Sequence, residues 1–118
     1  MRESTLWFLD IVFLLLLVVT MLLHVFPFST YVSGVGLEKA VSPSEIFARG
    51  KDSLYVIAYT VMMGAISYHS SYRLRILLTE YLGEARRRLI SIFCLISGLA
   101  LFSAGVFSTY YLFLGGVP

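Results

Sequence analysis

The stretch LWFLDIVFLLLLVVTMLLHVFPF, residues 6–28, is the one on which the fold turns. Only Asp10, Thr20 and His24 interrupt its apolar character. A helix needs about 20 residues to cross the hydrocarbon core of a bilayer, and this run is long enough. It exceeds the apolar segment of a signal peptide, about 7–15 residues, and Asp10 breaks its start, so it is read as a membrane span. Two further apolar stretches of comparable length follow, at about residues 54–78 and 89–114. The bilayer offers no water to the backbone, so an open chain crosses it as helix. The expectation is an all-α membrane protein of three transmembrane helices in a single domain over residues 1–118.

Composition agrees. The 118 residues are 58% hydrophobic and only 14% charged, with a mean hydropathy of +0.86. Soluble domains carry about 25% charged residues. A formal net charge of +2 is too small to point to nucleic acid. The single cysteine, Cys94, sits inside an apolar run, where it is a small packed side chain and forms no intrachain disulfide. No repeat or low-complexity tract appears, and no soluble catalytic domain has room outside the bilayer.

The segment between the first two spans is polar and broken. Pro27, Gly34 and Gly36 are expected to end the first helix. SPSE, residues 42–45, reads as a helix start, with Ser42 as cap, Pro43 in the first turn and Glu45 closing a capping box. Gly50 ends that short helix, which is predicted to lie at the interface with Ile46 and Phe47 toward lipid. Asp52 or Ser53 caps the second span. The linker EYLGEARRR, residues 80–88, is short enough to make spans two and three antiparallel neighbours.

Charge predicts the orientation. The loop between spans one and two balances Lys39, Arg49 and Lys51 against Glu38, Glu45 and Asp52. Residues 73–88 carry five arginines (73, 75, 86, 87 and 88) against Glu80 and Glu84, a net +3. That bias places the second turn and the N-terminus in the cytoplasm, and the C-terminus outside. Trp7 and Phe8 then belong to the inner aromatic belt, and Tyr31, Tyr55, Tyr110 and Tyr111 to the outer one.

The chemistry is concentrated on the second span. At about 100° per residue, Arg73, Ile76 and Glu80 share the face of His69 on one side, and Ala65, Met62 and Ala58 on the other. Small or flexible neighbours leave room beside the imidazole for a flat partner. An ionisable group within a span is a functional candidate, and its partner has to be found. An imidazole in a helical bundle can ligate haem iron, with Arg73 and Arg75 as cations for the propionates. The plainer reading has His69 hydrogen-bonding a neighbouring helix and the arginines snorkelling to headgroups. His24 lies roughly 15 Å from His69 in depth, too far to pair with it, and is read as an interfacial residue. Tyr81 falls at the cytoplasmic edge beside Glu80. There a phenol can donate to a quinone carbonyl and a carboxylate can move protons, or the two are simply a belt tyrosine and a solvated glutamate.

HSSYRLRILLTEY, residues 69–81, resembles the motif on the second helix of the membrane-anchor subunits of succinate dehydrogenase and fumarate reductase. That motif is a histidine, three residues, a glycine, one residue, an arginine, four residues, an acid and an aromatic. His69, Arg75, Glu80 and Tyr81 match it, and Arg73 stands where the family has glycine. The three-span topology and the basic EARRR before the last helix look most like the smaller of the two anchor chains. The resemblance implies that His69 is an axial ligand of haem b, with the other ligand supplied by a second membrane-anchor subunit. It implies that Arg75 contacts a haem propionate or the quinone pocket, and that Glu80 and Tyr81 line the quinone site; Arg73, in the place of the family glycine, either fills the gap left there or adds a contact to a haem propionate. It also implies an iron–sulfur subunit docked on the turn at residues 83–88, a flavoprotein reached through it, and a place in the inner or cytoplasmic membrane. On that reading the chain belongs to succinate:quinone oxidoreductase (complex II) of the respiratory chain and tricarboxylic acid cycle, and carries no succinate chemistry itself. The alternatives are an anchor for another respiratory dehydrogenase, and a haem-free structural or proton-transport subunit.

On the third span, Ser97, Ala100, Ala104 and Ser108 recur at helical spacing, with Gly98 and Gly105 alongside. Such small residues predict close packing against another helix.

Overall fold

The computed structural model describes residues 2–115, apart from the side chains of Pro27, Phe28, Thr30, Tyr31 and Val32. The outer-belt assignment of Tyr31 therefore lies outside the described residues. Helices α1 (Glu3–Val35), α2 (Leu37–Ala40), α3 (Pro43–Gly50), α4 (Ser53–Leu82) and α5 (Arg87–Phe113) follow one another, with a 3-10 turn at Glu84–Arg86. No strand occurs among the described residues.

Two segments are long and apolar enough to cross a membrane, Glu3–Phe26 and Glu84–Phe113. Their apolar side chains point outward, as Leu15, Leu22, Phe26, Leu95, Leu99 and Phe107 show. Only 11% of each segment is buried inside the molecule, which distinguishes both from the core helix of a soluble protein. The third expected span, within α4, matches them in length at 30 residues. It is not among the two because its second half carries Ser67, His69, Ser70, Ser71, Arg73 and Arg75.

α4 is the centre of the molecule. α1 and α5 each pack along it, and among the described residues they touch each other only where Arg87 reaches Glu3 at one end. The α4–α5 seam depends on small residues. Cys94 and Ile90 are buried there. A Cβ on Gly98 would overlap the Ser71 hydroxyl and come within 3.2 Å of its Cβ, and one on Gly105 would lie 2.8 Å from Met63 Cγ. The predicted stripe is thus divided. Gly98 and Gly105 meet α4, while Ala100, Ala104 and Ser108 remain exposed.

The boundaries show three differences from expectation and two agreements. α1 runs helically past Pro27 to Val35 and stops where Gly36 takes φ +85°. α3 starts after Ser42 with Pro43 in its first turn, but no side-chain cap forms. The Ser42 hydroxyl instead faces that of Ser44 at 3.3 Å. Phe47 is half-buried rather than turned to lipid, because α3 packs against α4 and α5. Asp52 caps α4 as expected, Oδ1 accepting from Leu54 N–H at 2.9 Å. Gly83, at φ +89°, makes the tight turn that returns the chain as α5.

Candidate functional site

The site is built along the α1–α4 seam. The face of α1 that meets α4 includes Leu6, Asp10, Phe13, Leu17, Thr20 and His24, spaced three or four apart. The polar residues within the apolar run, Asp10, Thr20 and His24, therefore point inward. Thr20 satisfies itself, its hydroxyl donating to the carbonyl of Leu16 at 2.8 Å. The others find partners on α4.

At the centre, the Asp10 side chain is fully buried. His69 Nδ1 donates to its Oδ1 at 2.8 Å. Arg73 Nη2 lies 3.0 Å from its Oδ2, at ion-pair distance but without the alignment of a hydrogen bond. A buried carboxylate needs such compensation, since an isolated charge in a low-dielectric interior costs several kcal/mol, about the scale of a domain's whole stability. His69 is 27% exposed and Arg73 53% exposed, so both reach from the buried acid toward an open face. With Nδ1 engaged, the imidazole presents Nε2 as its remaining ligand atom.

One to two turns below, Arg75 makes a bidentate pair with Glu3 at 2.9 and 2.8 Å. Arg87, at the start of α5, also binds Glu3, and Glu84 as well. These contacts tie the N-terminus of α1 to the α4–α5 turn. The Arg75 guanidinium stands 5.4 Å from the centre of the Tyr72 ring. Tyr72 stacks on Tyr68, whose hydroxyl donates to the carbonyl of Leu6 at 2.9 Å. A cavity of about 390 Å³ opens at this end, lined by Glu3, Arg75, Thr79, Glu80, Glu84 and Arg87 among others.

The candidates are thus divided between two levels. His69 and Arg73 converge on Asp10, whereas Arg75 is joined to Glu3 and shares the end cavity with Glu80. Tyr81 is 84% exposed and lies on the outside of the turn, not in that cavity. His24 is half-buried and hydrogen-bonded to the Tyr59 hydroxyl at 2.8 Å, so its ring faces the α1–α4 seam. It stands 14 residues from Asp10 along α1, about 21 Å, and is no second ligand beside His69. Among the described residues no cluster of three or more His, Cys, Asp or Glu could hold a metal ion.

Sequence reasoning saw Asp10 only as an interruption and passed over Glu3. The available signal was their spacing. Glu3, Asp10 and His24 are separated by multiples of seven, which keeps them on one stripe of a helix facing a neighbour. Antiparallel packing then meets them in reverse order with Arg75, His69 and Tyr59. Comparison with protein families, curated proteins and solved structures returns no match to this chain.

Proposed function

We propose that this chain is a membrane-anchor subunit of a succinate:quinone oxidoreductase. It crosses the inner or cytoplasmic membrane three times, with its N-terminus on the cytoplasmic side. The observation that carries the reading is the His69 imidazole, held through Nδ1 by a buried carboxylate and reaching an open face. With that support, His69 would serve as one ligand to a haem iron. Metal-ligating histidines characteristically donate their other ring N–H to a carboxylate or carbonyl. The second ligand would come from the sister anchor chain.

Within this chain, His69 would hold haem b through Nε2, and Arg73 would use its remaining N–H donors on a propionate. Arg75 is more fully committed, to Glu3, and would help shape the cytoplasmic end. The haem, when bound, supplies a one-electron carrier within the membrane. Glu80, on the rim of the end cavity, would take and release the protons that quinone reduction consumes. Tyr81 would donate a hydrogen bond to a quinone carbonyl from the exposed turn, where a docked subunit completes the pocket. The exposed Arg86, Arg88 and Leu89 support docking of the iron–sulfur subunit on the same turn, with the flavoprotein beyond it.

The test is to purify the complex and record reduced-minus-oxidised spectra. A b-type α band that disappears in His69→Ala, with a flavoprotein and an iron–sulfur protein in equal amount, is the expected result. An intact band in His69→Ala, or no band in the wild type, ends this reading. The buried Asp10 between His69 and Arg73 also favours a second reading, a haem-free subunit in which these groups line a proton path. A self-associated bundle without cofactors would be its signature.

A further inference from the structure

We infer that Asp10 is a positioning residue for the His69 ligand, and that Arg73 tempers it by sharing the same carboxylate. This rests on the haem reading above and names residues that reading does not require. Three observations carry it. Asp10 is the largest fully buried side chain among the described residues, on a helix most of whose apolar side chains are exposed. Its two oxygens are divided, Oδ1 to His69 Nδ1 at 2.8 Å and Oδ2 to Arg73 Nη2 at 3.0 Å. And it comes from α1, so the ring is steadied from a different helix than the one that bears it.

The chemistry follows from the hydrogen bond. An Nδ1–H donor to a carboxylate fixes the tautomer and the ring plane, and it makes Nε2 a more basic ligand. A more basic ligand stabilises the oxidised iron and lowers its potential. The Arg73 charge draws density from the same carboxylate and works against that effect. Neutralising the acid and removing the cation should therefore move the potential in opposite directions. A role confined to helix packing predicts no such pair of signs.

The experiment uses the intact complex. Asp10→Asn keeps an oxygen that accepts from Nδ1–H but removes the charge. Arg73→Gln removes the cation from a half-exposed position and leaves His69 as the partner of the Asp10 carboxylate. The midpoint potential and the low-spin haem electron paramagnetic resonance spectrum are read for each, and haem occupancy is read for Asp10→Leu. The expected result is haem retained with a raised potential in Asp10→Asn, a lowered potential in Arg73→Gln, and lost or heterogeneous haem in Asp10→Leu. Haem present with the potential unchanged in Asp10→Asn, or with shifts of the same sign in both variants, overturns the inference and leaves the anchor reading standing. A wild-type complex without haem overturns the anchor reading and this inference with it.

Discussion

Replacing Gly98 with alanine probes the α4–α5 seam. A Cβ there overlaps the Ser71 hydroxyl, stands 3.2 Å from Ser71 Cβ and 3.6 Å from the Ser67 carbonyl. Both atoms must give: the hydroxyl is forced from its place at a cost, and Ser71 Cβ, part of the α4 helix, yields only if the helices part by a few tenths of an ångström. Overpacking of this kind costs about 1–3 kcal/mol. The gain in helix propensity, at most about 1 kcal/mol, opposes it. Gly64→Ala supplies the control, because its Cβ would meet only Phe102 Cε2 at 3.5 Å, an ordinary contact. The propensity gain is common to both, so Gly98→Ala should be less stable than Gly64→Ala by about 1–3 kcal/mol. Unfolding in mixed micelles, followed by circular dichroism, measures the difference. Adding Ser71→Ala removes the overlapping hydroxyl and should restore part of the loss, a coupling of about 0.5 kcal/mol or more. Equal stability of the two glycine variants, or a deficit that Ser71→Ala leaves untouched, refutes this account of the seam.

Tyr81→Phe should lower quinone reduction by about 100-fold if the phenol assists the reaction, with no loss of assembly because the side chain is exposed. Wild-type turnover and inhibitor sensitivity in that variant would remove its role. Arg75→Lys forfeits the two-pronged grip on Glu3. The expected loss is modest, about 0.5–1 kcal/mol, since Glu3 is half-exposed. Its sign can be checked by the same unfolding assay, and a Glu3→Gln background should abolish the effect. Asp52→Ala removes the cap on α4 and should cost about 1 kcal/mol, whereas Asp52→Asn should lose little.

Several features of this chain needed no neighbours to be read. Helix type and approximate extent follow from long apolar runs, because backbone groups without water must be satisfied within their own segment. The Asp52 cap and the α4–α5 reversal at Gly83 are local in the same way, each depending on a few adjacent residues. The start of α3 was legible through Pro43, but its capping box was not, since a hydroxyl chooses among partners of nearly equal strength. Of the residues expected to end α1, Gly36 does so, while Pro27 does not, because a missing N–H weakens a helix without obliging it to stop.

His69 was identified from its place in an apolar segment, where an imidazole is costly enough to require a reason. Its partner was beyond reach, because Asp10 lies 59 residues away and the two meet only when α1 docks on α4. The same docking separates Arg73 from Arg75, two residues apart in sequence, which turn to different acids about two turns apart on α1. It also carries Glu80 into a cavity and leaves Tyr81 outside it. Hydropathy and periodicity reach along one helix, since they reflect its own residues and solvent. Which charge neutralises which depends on the rotation and depth of a second helix, and those are set by the fit of Leu6, Phe13 and Leu17 against α4, a property of two surfaces rather than of either segment alone.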